Sequence, residues 1–214
     1  YGLTDRKGLL YGIKAFIEEF KKEEDILLLI KINFAYVPIQ DIQQRMQYIM
    51  QTLNNAGIDL NNKAEVRFII EDWPYEKLND FYNSLDVFVS PHRAEAFNLN
   101  LIESLFAGKP HISTNYGGNT DYCTEDNGWL VDYILLPVIT KELIKTNLQF
   151  YINHCGFYAE TQWSIPNTLD LRKKMRFAFE HQDIVKERGL KALETAKIYS
   201  WNNAAKKVIE CLKQ

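Results

Sequence analysis

Long apolar runs are missing from this sequence. The longest, such as Ile26 to Ile30, fall far short of the roughly 20 residues that a bilayer-spanning helix needs. No signal-peptide pattern opens the chain, and there is no initiating Met; a start at Tyr1, just before a turn, reads as a fragment. Cysteine is scarce. Cys123, Cys155 and Cys211 are odd in number and widely spaced, which fits neither a disulfide framework nor a zinc ribbon and suggests a reducing compartment. Positive charge is not in excess either: a net charge of −3 leaves no electrostatic footprint for nucleic acid. His92, His111, His154 and His181 have no metal-ligand spacing, and no Asp-x-Asp pair is placed to hold a metal. No G-x-G-x-x-G follows the first visible strand, which argues against a nicotinamide dehydrogenase. Internal repeats and low-complexity segments are absent too.

What is present is an alternation of strands and helices. The 214 residues suffice for one large or two small domains. Gly2 to Gly8 is a turn-rich opening that carries Arg6 and Lys7. Leu9, Leu10, Ile13, Phe16, Ile17 and Phe20 recur at helical spacing. Ile26 to Ile32 reads as a strand buried on both faces. Asp41 is placed to cap a helix through about Asn55, with Gly57 as its stop. Val66 to Ile70 and Asp86 to Ser90 read as strands around a helix that starts at Pro74 and keeps Leu78, Phe81 and Tyr82 inward. A helix at Leu99 to Ala107, a strand at His111 to Thr114, a Gly117-Gly118 turn and a strand at Trp129 to Val131 complete the pattern. Such alternation predicts an α/β fold with a parallel sheet. Residues 133–167 read as an ordered excursion with a short helix within 141–151. Residues 168–214 read as C-terminal helices of the same domain, the last capped by Ser200.

The main functional clue is the pair Glu95 and Glu103, eight positions apart. If the interval were helical, their Cα atoms would lie about 12 Å apart, whereas glycosidase acid/base pairs lie roughly 5 to 9.5 Å apart. Two separate contacts on one extended ligand fit better. Asn98 is a good N-cap, so Glu95 falls in the loop before the helix and Glu103 in its second turn. Leu99, Leu101, Ile102, Leu105 and Phe106 fill one arc of that helix, with Glu103 at its edge. A half-buried carboxylate there can accept from vicinal ribose hydroxyls. The free amides at the helix start form an anion site, and Arg6 and Lys7 lie on another strand-to-helix turn. Parallel sheets gather such turns at the carboxyl edge of their strands. Plainer readings stand beside these: Arg6-Lys7 as a solvated pair, Gly117-Gly118 as a turn only, and Trp73 as a core residue, a helix-start residue or a base-stacking platform.

The combination resembles the C-terminal nucleotide-sugar-binding domain of family 4 retaining glycosyltransferases of the GT-B fold. The likeness is carried by Arg6-Lys7-Gly8, DVFVSP from Asp86, EAFNLNLIE from Glu95 to Glu103, AGKP from Ala107, Gly117-Gly118, GWLV from Gly128, and Ser200-Trp201. The resemblance implies a Rossmann-like parallel sheet flanked by helices, with C-terminal helices, as one half of a GT-B architecture. It implies a nucleotide-sugar-binding core over 1–132, an excursion at 133–167 and helices over 168–214. It implies transfer of a hexose from a nucleotide diphosphate sugar to an acceptor hydroxyl. In that scheme Glu95 lies by the donor sugar as the catalytic residue and helps the transfer, Glu103 binds the ribose, Phe97, Asn98 and Leu99 offer backbone amides to sugar and phosphate, and Arg6 and Lys7 face the diphosphate. No cofactor or metal is implied beyond the donor itself. The implied partners are a glycan, lipid or protein acceptor and a missing N-terminal GT-B domain, without which these residues should transfer poorly. Nucleic acid is not implied, and membrane contact is peripheral at most. The implied location is the cytoplasm or the cytoplasmic face of a membrane. One departure stands out: the family loop usually reads EGFG, and Ala96 and Asn98 replace both glycines. A non-catalytic nucleotide-sugar-binding module and a GT-B-like epimerase or phosphorylase are the alternatives.

Overall fold

The computed structural model describes residues 6–32, 39–55, 57, 63–137 and 161–213; the helix expected within 141–151 lies outside them. Arg6 and Lys7 turn through Gly8, at φ 69°, into α1 (Leu9–Glu19). Next come β1 (Leu27–Ile32), α2 (Ile39–Asn55) and β2 (Glu65–Ile70). Asp41 is inside the first turn of α2 and is not its cap. α3 (Tyr75–Ser84) begins one residue after Pro74, whose carbonyl accepts the first helical bond from Leu78 N at 3.1 Å. β3 (Phe88–Ser90), α4 (Leu99–Phe106), β4 (His111–Thr114) and β5 (Gly128–Val131) follow, with a 3-10 turn at Gly118–Asp121.

The strands are parallel, as the alternation predicts, but they form two sheets. β1 pairs with β2 from Leu27↔Glu65 to Ile32↔Ile70. β3, β4 and β5 form the other sheet in that order. Burial differs between them. All four residues of β4 are buried, whereas Leu28 to Ile32 in β1 are only half-buried and Leu27 is exposed. The near-continuous apolar run of β1 predicts full burial. It falls short because β1 is an edge among the described strands.

Two apolar clusters hold the elements. In the larger, Ile13, Phe16 and Ile17 of α1 and Phe20 just past its end meet Leu171, Met175 and Ala178 of α5 (Thr168–Glu180). Phe20 and Phe179 pack edge to face at 5.6 Å. Around that contact, Arg172 and Arg176 bridge to Glu18, Glu19 and Glu24. The hydrogen bond from Arg176 pulls the Glu24 carboxyl down to about 2. In the smaller cluster, Leu101, Ile102 and Leu105 of α4 meet Tyr122, Cys123, Ala192 and Ala196, the last two on α6 (Gln182–Ile198).

The excursion is ordered at both ends. β6 (Tyr133–Pro137) and β7 (Gln162–Pro166) pair antiparallel. Asn167 then caps α5 by accepting from the amides of Leu169 and Asp170, both at 3.1 Å. Ser200 caps α7 (Trp201–Leu212) as expected, accepting from Asn203 N at 3.3 Å. α7 buries none of its residues; Trp201 is 83% exposed. No helix among the described residues is long and apolar enough to cross a membrane.

Candidate functional site

The site is built on the loop from Pro91 to Asn98, between the end of β3 and the start of α4. Backbone contact holds this loop on two sides. A Cβ on Gly8 would meet Pro91 O at 1.7 Å, and one on Gly118 would meet Ala96 O at 1.6 Å. Gly117, at φ 97°, sits beside Glu95 O, and Gly118 N donates to that carbonyl at 3.2 Å. Gly117-Gly118 is therefore a turn and also the floor of the loop. From the other side Arg93 N donates to Arg6 O at 2.8 Å. Ser164 of β7 fastens the loop again: its amide donates to Arg93 O at 2.9 Å and its hydroxyl reaches the same carbonyl at 2.9 Å.

Arg6, Lys7 and Glu95 come together as one cluster. The Glu95 side chain is 7% exposed and bridges to Arg6 Nη1 and, at 2.7 Å, to Lys7 Nζ. Arg6 Nη1 also donates to Ala94 O at 2.8 Å. Burial pushes the Glu95 carboxyl up, but the hydrogen bonds and charges of Lys7 and Arg6 outweigh it and hold the acid below its usual range. Glu95 is thus an ionised acid between two cations.

Glu103 lies on α4, one turn beyond its first. Tyr82 Oη donates to Glu103 Oε2 at 2.9 Å, and burial followed by the Glu103 charge raises the phenol above its ordinary value. A carboxylate has two oxygens and about four acceptor positions, so capacity remains for further donors.

Asn98 occupies the N-cap position, but its side chain does not cap. It stands at φ 64°, the one non-glycine residue with positive φ among the described residues, and its side chain points inward. Asn98 Nδ2 donates to Ser90 Oγ at 2.9 Å, and Ser90 Oγ lies 3.0 Å from His92 Nδ1. His92 Nε2 faces two acceptors, Tyr116 O and Asn119 Oδ1, both at 2.9 Å. Nδ1 lies 3.0 Å from the Ser90 carbonyl as well as from its hydroxyl, so both ring nitrogens are engaged within the protein. Burial lowers the His92 pKa, which agrees with a neutral ring. Because Asn98 turns inward, the amides of Leu99 and Asn100 have no protein acceptor among the described residues. They remain open for an anion.

The apolar arc of α4 is narrower than its spacing predicts. Leu101, Ile102 and Leu105 are buried, while Leu99 is 54% exposed and Phe106 is also exposed. Ser104 takes the remaining inward position and bonds its hydroxyl to Leu101 O at 2.7 Å. Phe97 is part-exposed and packs against Tyr122, whose hydroxyl donates to Phe97 O at 2.5 Å. Trp73 lies outside the loop. Its ring meets Lys77 Nζ at 4.4 Å and Lys31 Nζ at 5.1 Å from the centroid and touches Phe81 edge to face. Sequence reasoning missed Tyr82, His92, Asn119 and Tyr122 as supports. Only Tyr82 left a trace, as an inward position of α3.

A family model for glycosyl transferases group 1 matches residues 3–133, which contain Arg6, Lys7, the loop from Pro91 to Asn98 and Glu103. The chain belongs to that family. No curated protein matches the sequence. Solved structures share the fold at low identity. A glycosyltransferase from Rickettsia africae superposes with a TM-score of 0.66 at 20% identity, over 99% of this chain and 45% of its own. The C-terminal domain of a group 1 glycosyl transferase from Francisella tularensis gives 0.58 at 17%, over 90% and 78%. Anabaena HepE, solved in complex with UDP, gives 0.64 at 14%, over 99% and 46%. The fold of this group 1 chain is the Rossmann-like α/β arrangement of GT-B C-terminal domains. The chain spans less than half the length of the Rickettsia protein.

Proposed function

We propose that this domain binds the donor in a retaining hexosyltransferase of family 4, which moves a hexose from a nucleotide diphosphate sugar to an acceptor hydroxyl. The observation that carries the reading is the convergence of Arg6 and Lys7 with Glu95 beside the open amides of α4. Glu103, with one oxygen held by Tyr82, accepts from the ribose hydroxyls. Arg6, Lys7 and the α4 amides take the diphosphate and stabilise it as it departs. Glu95, freed from part of its cation contact, works at the sugar. Phe97, Asn98 and Leu99 line the loop between the two acids. That HepE was solved with UDP, and in another structure with UDP and glucose, supports a nucleotide-sugar donor.

Asn98 favours an intact site over a degenerate one. It adopts the left-handed conformation that a glycine in its place would also adopt, so the loop keeps its course. The acceptor, a glycan, lipid or protein, is assigned to a further N-terminal domain and to a cytoplasmic setting. The proposal uses no metal or cofactor. Titration calorimetry of a panel of nucleotide sugars and nucleoside diphosphates tests it, together with a transfer assay on the full-length protein. Binding of nucleoside diphosphate that Glu103→Ala weakens at least tenfold supports the site. Binding with no transfer by the full-length protein would leave a binding module, and turnover that requires free phosphate would mean a phosphorylase.

A further inference from the structure

The match to the family model ends at residue 133, and β7 lies beyond it. The two edges of β7 have different partners. One edge pairs antiparallel with β6, and Ser164 stands opposite Leu135. The other edge meets the loop that carries Glu95. In an antiparallel pair alternate residues turn their amide and carbonyl away from the partner strand. Ser164 is such a residue: its N–H donates to Arg93 O at 2.9 Å, and its carbonyl accepts from Arg93 Nε at 3.3 Å. The Ser164 hydroxyl donates to the same Arg93 O at 2.9 Å and lies 3.2 Å from His92 O. Ser164 is fully buried. The ring of buried Trp163 lies 5.3 Å from the Arg93 guanidinium.

We propose that β7 clamps the loop from Pro91 to Asn98 and that Ser164 is a positioning residue for Glu95. The inference rests on the donor reading above, in which Glu95 works at the sugar. Three observations carry it. First, Arg93 stands two residues before Glu95 and is pinned at both ends of its backbone: its N–H donates to Arg6 O at 2.8 Å, and its carbonyl accepts from Ser164. A backbone carbonyl has two lone pairs, and Ser164 supplies a donor for each, amide and hydroxyl, from a single position. Second, the close contacts at Gly8 and Gly118 keep the loop from moving towards them but not from moving away. Hydrogen bonds must resist departure. The bond to the Glu95 carbonyl itself, from Gly118 N, is 3.2 Å long, and the two from Ser164 to Arg93 O are shorter. Third, the same segment ties the neighbouring loops. Tyr116, after β4, donates its hydroxyl to Gln162 O at 3.2 Å, and Asn167 N donates to Asp132 O, after β5, at 2.7 Å. One strand and its flank thus span the ends of β3, β4 and β5. A misplacement of about 1 Å at a reacting group costs on the order of a hundredfold in rate. Loosening the clamp therefore acts on turnover before it acts on diphosphate binding, which falls to Arg6, Lys7 and the α4 amides.

The test uses the full-length protein and Ser164→Ala, which removes one donor at a buried position without adding volume. Tyr116→Phe releases Gln162 O at an exposed point and is the second variant. Ile17→Val, a mild loss in the α1–α5 packing, is the control. The readouts are amide hydrogen exchange at Arg93, Ala94 and Gly118, affinity for UDP, GDP and ADP by calorimetry, and turnover of UDP-, GDP- and ADP-glucose. Ser164→Ala is expected to speed exchange at the three amides at least fivefold and to lower kcat at least tenfold, with diphosphate affinity and donor KM within twofold. Tyr116→Phe should act in the same direction more weakly, and Ile17→Val should do neither. If Ser164→Ala does not fold, Tyr116→Phe carries the same comparison. Unchanged exchange, or the same change in Ile17→Val, overturns the proposal. Faster exchange with unchanged kcat overturns it too, as does a loss of diphosphate affinity that matches the loss of kcat. A wild-type protein that binds none of the diphosphates sinks the donor reading, while exchange still decides whether β7 clamps the loop.

Discussion

At the residue scale the two acids have opposite surroundings, and that sets separate expectations. Among the described side chains Glu103 hydrogen-bonds to Tyr82 alone, so Glu103→Ala should weaken nucleotide sugar and nucleoside diphosphate alike. Tyr82→Phe should weaken both less, about three- to tenfold, in line with the ~1 kcal/mol that one hydrogen bond contributes. Glu95 instead balances Arg6 and Lys7. On the proposed donor reading, Glu95→Gln should lower the transfer rate of the full-length protein at least a hundredfold while changing nucleoside diphosphate affinity little; calorimetry and the transfer assay read the two effects separately. The buried histidines add a pH signature. Burial takes His111 from 6.5 to about 4, while its ring nitrogens stay engaged by Ser113 and Asn127. Below pH 6.5 the unfolded chain binds a proton that folded His111 refuses, so acid favours unfolding. His111 therefore contributes stability above pH 6.5 and loses about 3 kcal/mol of it as pH falls towards 4. Urea midpoints should fall across that window. In His111→Gln the fall should be shallower, from a lower midpoint at pH 7.

At the element scale the loop from Pro91 to Asn98 is held by main-chain contact, and substitutions there should show it. Gly118→Ala places a methyl group on Ala96 O, so the loop must move; a loss of about 1 to 3 kcal/mol is expected, as for overpacking elsewhere. Asn98→Ala combines a left-handed backbone with a lost bond to Ser90, and should cost more than Asn98→Gly, which loses only the bond. Thermal melts of the three variants check both statements. The same loop marks the limit of sequence reading. Helical spacing located α1, α4 and α7, and Ser200 was legible as a cap because a serine hydroxyl acts on its own first turn. Asn98 was not, because its side chain answers to Ser90, eight residues back and across the fold. The outward turn of Leu99 and Phe106 was equally hidden: hydrophobicity records which residues favour burial, while the neighbours on α6 and the Tyr122 cluster leave room for only three of the five.

At the scale of the whole molecule, strand identity was legible and sheet continuity was not. An apolar run reports the faces of its own strand, so β1 and β3 could be placed, but it says nothing about which edge lies next to which. The split into two sheets is a property of edges. The C-terminal helices show the converse. α7 has a regular apolar stripe, Trp201, Val208, Ile209 and Leu212, yet all four are exposed. Truncation after Tyr199 should therefore move the melting temperature by less than about 4 °C, the shift expected for 1 kcal/mol in a domain of this size. Calorimetric melts of the chain with and without Trp201–Leu212 give the measurement.

The contact between Gly8 and Pro91 on one side, and between Gly118 and Ala96 on the other, leaves no side chain at either interface to exchange. The position of the loop is thus set by atoms that substitution does not vary, while Phe97 and Leu99 on its outer surface are exposed and free to change. Substitution can alter what the outer surface of the loop displays, but a side chain at Gly8 or Gly118 would displace the loop itself. A scan of all substitutions should find near-complete intolerance at Gly8 and Gly118 flanking broad tolerance at Leu99.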